Sequence, residues 1–196
     1  MTAVLRRLQA LVLAAGGSRR FPSNKLLRPL PDQRRLLDIS YQSAQQLTPH
    51  VLTVISSDPS LRSHCESHGM DFIINAAAHT GIASSIACGV NATMDADGWA
   101  IFLADMPAIN PATLKLLAET WHAHTITLPR YQQQHGHPVI FSQDWAAQLC
   151  ALQGDQGARH LLRDNPAVYH LDTDDAGVCF DIDTEADWNA YLRTQA

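Results

Sequence analysis

Residues 11–27 read LVLAAGGSRRFPSNKLL and carry the densest chemistry in the chain. An apolar run of strand length reaches Ala15, and Gly16 and Gly17 then permit a tight turn with close backbone approach. Ser18, Arg19, Arg20 and Lys25 follow, so free N–H groups, a hydroxyl and three cations fall within ten residues. Such a loop suits a polyphosphate: main-chain donors cradle its oxygens while Arg20 and Lys25 neutralise its charge. A solvated basic loop after a strand is the plain alternative, and the offsets of Arg20 and Lys25 weigh against it.

Carboxylates supply the complementary chemistry. In LADMP, Leu103–Pro107, a hydrophobic strand delivers Asp105 at its carboxyl end, where it can hold Mg²⁺, a hard ion that prefers oxygen. Capping of the following turn is the competing role for an Asp there. In FDIDTEADW, Phe180–Trp188, Asp181 and Asp183 alternate along an extended segment and share a face. A cation between them would relieve their repulsion, and with Asp105 they can complete a metal site on phosphate oxygens. Thr184 also stands as a helix cap ahead of Glu185 and Asp187, and the two roles are compatible. His64 and His68 are spaced i, i+4 around Cys65, but no further ligand pair is evident to complete a zinc site.

These residues need elements to position them. Strand-like runs (Leu11–Ala14, Val51–Ser56, Asp71–Ile74, Trp99–Leu103) alternate with helical ones (Leu36–Leu47, Pro59–His68, Ile82–Met94, Pro111–Ala123). Beyond residue 125 the alternation loosens. Short strands are expected at Ile126–Leu128, Val139–Phe141 and Val178–Ile182, and helices at Gln143–Leu152, Ala158–Arg163 and Glu185–Leu192. The pattern predicts an α/β fold with a mainly parallel central sheet flanked by helices. Ligands of such sheets sit at the carboxyl ends of the strands, where the glycine loop and Asp105 both fall.

Composition narrows the class. A chain of 196 residues is sized for one domain. Residues 1–35 carry eight basic side chains against one acid, net +7, while the rest carry six against 18, net −12. A basic end on an acidic body fits a small anionic ligand better than nucleic acid. No apolar run reaches the roughly 20 residues of a membrane span. The apolar run near the N-terminus ends in the glycine loop and is interrupted by Gln9, so it reads as a strand and not a signal peptide. Four scattered cysteines without a C-x-x-C pair fit a reducing cytoplasm.

Competing motifs fail. The glycine turn lacks the closing Gly of a nucleophile elbow, the Gly-Lys-Ser/Thr of a Walker A loop and the G-x-G-x-x-G of a dinucleotide site. LAAGGSRRFPSNK instead resembles the LAAG-x-S-x-R-[MF]-G-x-x-K signature of MobA-like nucleotidyltransferases, and LADMP resembles that family's metal-bearing strand end. TGIASSIACGV at 80–90, GHPVIF at 136–141, GDQGAR at 154–159 and DIDTEAD at 181–187 are similar to the molybdenum cofactor cytidylyltransferase (MocA-like) branch. The resemblance spans nearly the whole chain, in order.

It implies a Rossmann-like nucleotidyltransferase domain, with nucleotide bound by about 1–107 and acceptor by about 108–196. The implied reaction moves CMP from CTP to the terminal phosphate of molybdopterin carrying molybdenum, with Mg²⁺, and releases pyrophosphate. A recipient molybdenum enzyme or its chaperone is the implied protein partner. Leu13, Ala14, Ala15, Gly16, Gly17 and Ser18 would line the nucleotide pocket, bordered by Ser84, Ser85 and Gly89. Arg20 and Lys25 would hold the triphosphate; Asp105 would bind Mg²⁺ with Asp183 or Asp181; His137, Asp155 and Arg159 would face the pterin. Positioning and charge neutralisation suffice for such a transfer, and an anionic acceptor phosphate needs no general base. Ala15, where the guanylyl branch has Gly, would narrow the pocket towards a pyrimidine. Pro22 departs from the family's Gly and brings no N–H, although Ser23 and Asn24 offer substitute donors. That departure is the one feature favouring a non-catalytic cofactor carrier, and a transferase with another acceptor is the third alternative.

Overall fold

The computed structural model describes residues 7–17, 21, 24–121 and 125–195. Ser18, Arg19, Arg20, Pro22 and Ser23 lie outside them, so the expectations placed on Ser18, Arg20 and Pro22 concern residues that are not described. The chain opens with strand β1 (Leu8–Ala14), helix α1 (Leu36–Leu47), β2 (Val51–Ile55), α2 (Pro59–Ser67) and β3 (Phe72–Ile74). It continues through α3 (Ile82–Ala92), β4 (Gly98–Leu103), α4 (Pro111–Thr120), β5 (Ile126–Tyr131), a two-residue β6 (Gln134–His135) and β7 (Val139–Ser142). The last elements are α5 (Ala146–Cys150), α6 (Arg159–Leu162), β8 (Val168–Asp172) and α7 (Glu185–Thr194).

The strands form one sheet in the order β3-β2-β1-β4-β7-β5, with β6 and β8 both paired to β5. β1 runs parallel to β2 and β4, β2 to β3, and β5 to β8; β7 is antiparallel to both of its neighbours. All seven residues of β1 are buried, as expected of a strand covered on both faces. Ala10, Val12 and Ala14 join Leu36 and Leu37 of α1, Leu114 and Leu117 of α4 and Trp188 of α7. Leu11 and Leu13 face Ala83, Ile86 and Val90 of α3, with Trp99, Phe141 and Leu149. The expected α/β architecture is therefore present as three layers.

Helix starts follow local chemistry. Asp58 caps α2, its Oδ1 accepting from Ser60 N at 2.8 Å, and Asn110 caps α4 through Ala112 N at 2.9 Å. Pro59 and Pro111 take the first turns, where their missing N–H costs nothing. Gly89 closes the α3–β1 contact: a Cβ there would lie 2.9 Å from a Leu11 methyl carbon.

One element differs from expectation. Val178–Ile182 is not a strand; Ala176–Cys179 makes a single 3₁₀ turn and 180–183 pairs with no strand among the described residues. The late strand is Val168–Asp172, laid parallel against β5 from Ile126 to Arg130. The reason is steric. Gly177 is pressed onto the Ala108 carbonyl, so the chain turns there, and Ile182 N donates to Asp105 O at 3.0 Å instead of joining a ladder.

Candidate active site

The carboxyl ends of β1 and β4 lie side by side, with α1 following β1 on one sheet face and α3 preceding β4 on the other. That is the crevice where open α/β sheets bind ligands. Ala104 N donates to Leu13 O at 3.2 Å, which fixes the LADMP turn against the glycine turn. Ser40 of α1, buried at 1% exposure, donates its hydroxyl to Ala104 O at 2.9 Å and anchors the same turn from beneath. Nothing in the sequence singled out Ser40; its role depends on a partner 64 positions away.

Three oxygens converge on one ammonium here. Lys25 Nζ lies 2.8 Å from Asp105 Oδ2, 2.9 Å from Asp183 Oδ1 and 2.6 Å from Ile182 O. Burial works against the charge on Lys25, but Asp105 and then Asp183 outweigh it and raise its pKa above the usual lysine value. The segment carrying Lys25 is held on two sides. Asn24 accepts from Leu26 N at 3.1 Å and donates to Asp58 Oδ2 at 3.2 Å. Arg28 pairs with Glu185 at 2.7 Å and lies 4.4 Å over the Trp188 ring. Asp183 sits just before α7, whose capping box of Thr184 and Asp187 leaves the Asp183 side chain turned towards Lys25. Thr184 thus caps a helix as expected, while Asp183 joins Asp105 in a charged cluster around Lys25. The donor set is all oxygen, two carboxylates and a carbonyl, which fits a hard divalent cation such as Mg²⁺.

Asp181 takes a different position. It is exposed and lines the neighbouring cleft. Partial desolvation of its carboxyl against the cleft wall raises its pKa first, then the charges of Asp183 and Asp105 do so. The shared face expected for Asp181 and Asp183 therefore resolves into one carboxylate on Lys25 and one in the cleft wall.

The cleft has a volume of about 660 Å³ and brings together His137, Asp155, Arg159 and Asp181 against apolar Ile82, Leu103 and Phe141. His137 is steered by its own backbone and ring: its N–H donates to Val178 O at 2.8 Å, and Nδ1 lies 3.3 Å from Ile101 O. The His137–Pro138 peptide is cis. Gly136 must be glycine, because a Cβ would fall 2.6 Å from a Val178 methyl. Burial depresses the His137 pKa; the Ile101 carbonyl and Asp105 push it back up, and Arg159 pushes it down.

The family model for the MobA-like NTP transferase domain matches residues 10–171. This chain belongs to that family. The purine catabolism protein PucB of Bacillus subtilis (strain 168) is 28% identical over 202 residues, covering 96% of this chain and 98% of PucB. Rv0371c from Mycobacterium tuberculosis H37Rv is 27% identical with a TM-score of 0.82, covering 96% of this chain and 98% of its own. A structure of that mycobacterial protein in complex with manganese is 26% identical with a TM-score of 0.80, covering 96% and 99%.

Within this MobA-like domain the remaining expected residues divide between surface and interior. Gly16 and Gly17 are exposed at the turn, and a Cβ on Gly16 would meet open space, so the backbone is accessible there. Ala15 is 8% exposed, while the side chains of Leu13 and Ala14 are buried in the two cores and set the turn's position. Ser84 lines a separate recess of about 520 Å³ with Asn75 and Gly154. Ser85 is interior, and Gly89 serves helix–sheet packing instead of bordering a cleft, because its Cα faces Leu11 and Val54. Asn75 was also missed by sequence reading. Its Nδ2 donates to Ser84 Oγ at 2.9 Å and to Ser85 Oγ at 3.1 Å, and its Oδ1 accepts from Ala77 N at 2.9 Å. Asn75→Ala should therefore cost about 2 kcal/mol, as three bonds of a buried amide are lost, read as a lower urea midpoint.

A second polar network lies on the α1–α2 face. His64 Nε2 meets Asp38 Oδ1 at 2.6 Å, and Arg35 contacts His64 Nδ1. Asp38 brings a third potential metal ligand within 4.8 Å of His64 and His68, beyond what the i, i+4 spacing offered. Arg35 disfavours a second cation there, and both ring nitrogens of His64 already have partners. Burial lowers the pKa of His64, as it does for His137 and His170. A histidine whose folded pKa is depressed stabilises the fold above its unfolded value, about 6.5, and that stability is lost as pH falls. Denaturant titrations are expected to show lower stability at pH 5.5 than at 7.5, with a shallower drop in His64→Gln.

Proposed function

We propose that the chain is a molybdenum cofactor cytidylyltransferase, transferring CMP from CTP to the terminal phosphate of the molybdopterin cofactor. The observation that carries this reading is the Lys25–Asp105–Asp183 cluster at the carboxyl end of β4, beside a cleft holding His137, Asp155 and Arg159. An oxygen of the acceptor phosphate attacks the α-phosphorus of CTP, the bond to the β-phosphate's bridging oxygen breaks, and pyrophosphate leaves. Asp105 and Asp183 would hold Mg²⁺, which supplies charge neutralisation on the phosphates. The glycine turn offers main-chain donors to the triphosphate, and Lys25 and Arg20 offset its charge. Ala15 at the floor of the turn supports CTP over a purine nucleotide.

The cleft supports an amphipathic acceptor, with its aliphatic and aromatic wall for a ring and Arg159 for an anionic group. In this division residues up to about 107 bind nucleotide and later ones the acceptor, except that Asp183 reaches back to the metal. The MocA-like branch is favoured by GHPVIF and GDQGAR, which both contribute to this cleft.

Pyrophosphate release with Mg²⁺, molybdopterin cofactor and each NTP in turn tests the reading. Turnover with CTP alone is the expected result. Turnover with GTP would keep the transferase and overturn the base assignment. Turnover with CTP and a sugar or polyol phosphate, but not the pterin, would overturn the acceptor. Stoichiometric cofactor binding without turnover would identify a carrier.

A further inference from the structure

The position between Asp105 and Asp183 is taken by a cation of the chain itself. Lys25 Nζ makes hydrogen bonds to both carboxylates and to the Ile182 carbonyl, at 2.6–2.9 Å. Its side chain is 11% exposed, so it is a settled occupant of the oxygen cage and not a surface lysine passing by. A divalent ion held by both carboxylates needs their oxygens at about 2.1 Å. An ammonium at hydrogen-bond distance from the same atoms leaves no room for it, and two adjacent cations repel.

We propose that Lys25 is the resident cation of this site, and that a divalent metal enters by displacing it. The expelled ammonium turns towards the glycine turn and meets the phosphates of the nucleotide. This rests on Asp105 and Asp183 being the metal ligands, and it adds the order and coupling of their filling. Lysine suits the task where arginine would not: a compact ammonium on a flexible stem can sit among three oxygens and then swing away, whereas a planar guanidinium is committed to its fork. The chain has 12 arginines and two lysines, Lys25 and the exposed Lys115. Metal and triphosphate then bind cooperatively, because the triphosphate gives the displaced ammonium a new anionic partner.

Mn²⁺ binding without nucleotide, followed by electron paramagnetic resonance, reads the exchange directly. Lys25→Met is expected to bind Mn²⁺ about tenfold more tightly than the wild type, and added CTP should tighten Mn²⁺ binding more in the wild type than in the variant. Equal or weaker Mn²⁺ binding by the folded variant would overturn the exchange alone. Mn²⁺ bound by neither protein, with or without CTP, would overturn the metal assignment beneath it. Lys25→Met leaves two carboxylates facing each other and can lose its fold, so a second measurement uses the wild type. Acylation by an amine-reactive ester, read by peptide mass, compares Lys25 with Lys115 as the internal reference. Saturating Mn²⁺ should raise the Lys25:Lys115 ratio about fivefold or more. An unchanged ratio with one equivalent of Mn²⁺ bound would overturn the exchange. Neither measurement uses the acceptor or turnover, so a failure of the cytidylyl reading leaves both outcomes standing.

Discussion

Asp105→Asn is expected to lower kcat for pyrophosphate release about 10³-fold or more, equivalent to about 4 kcal/mol of transition-state stabilisation. Asparagine keeps the shape of the side chain and one acceptor oxygen, so the backbone bond from Ile182 N to Asp105 O and the turn itself survive. The lost quantity is charge. Asp105 faces Lys25 at 2.8 Å in the charged cluster, where, on the proposed reading, negative charge on the phosphates must be offset during transfer. An amide holds neither a divalent ion nor the resident Lys25 ammonium as a carboxylate does. Asp181→Asn is the matched control. It removes a carboxylate from the same neighbourhood but from the cleft wall, not from Lys25, and about a tenfold loss is expected. Near-wild-type kcat in Asp105→Asn, with its unfolding midpoint preserved, would remove Asp105 from the catalytic machinery.

Gly177→Ala should destabilise the fold by about 3 kcal/mol and reduce activity with it. A Cβ on Gly177 would stand 2.0 Å from the Ala108 carbonyl oxygen and 2.9 Å from Asp175 Oδ1. The first contact is backbone, which cannot rotate away, so the 3₁₀ turn must lift from the loop after β4. Asp175 ties the same junction together: its Oδ2 accepts from Asn110 N and from Thr113 Oγ1, each at 2.8 Å. Lifting the turn drags 180–183 with it, loosening Ile182 from Asp105 and Asp183 from Lys25. A urea midpoint lower than wild type together with reduced kcat at low denaturant is the expected pair of results. Wild-type stability would show that the junction tolerates a methyl group, contrary to this geometry.

The legible parts of the fold were those in which local chemistry and long-range packing agree. Leu36–Leu47 has an amphipathic pattern and forms a helix over those same residues. LADMP ends a buried strand, and Asp105 lies at its carboxyl end. The late strand was illegible for a physical reason. Val178–Ile182 alternates apolar and polar side chains as a strand does, yet among the described residues it joins no strand ladder, while Val168–Asp172, mixed in character, lies against β5. Periodicity reports which face of a segment seeks cover, and it is silent about whether a neighbour's backbone is available. The same limit applied to the site. Lys25, Asp105 and Asp183 were marked by charge at motif positions, and His137, Asp155 and Arg159 do share a cleft. Ser40, Asn75 and Asp58 reach the site or its flank through partners distant in sequence, so nothing local distinguished them from ordinary cap or surface residues. Gly89 carried a motif signal, but its small size serves the packing of α3 on β1.

The match to the family model stops at residue 171, but the molecule does not. Asp183 lies beyond that border, and so do Ile182, Trp188 and Tyr191, the last three buried in the core that β1 shares with α1. A chain severed after 171 would keep nearly every strand and still be unfinished: Lys25 would lose one of its two carboxylates, and Ile182, Trp188 and Tyr191 would be missing from the core shared by β1 and α1. The span matched by the family model and the physically whole domain thus have different borders on this chain. The final two dozen residues serve as a clasp, fastening the two ends of the polypeptide across the place where the reaction would occur.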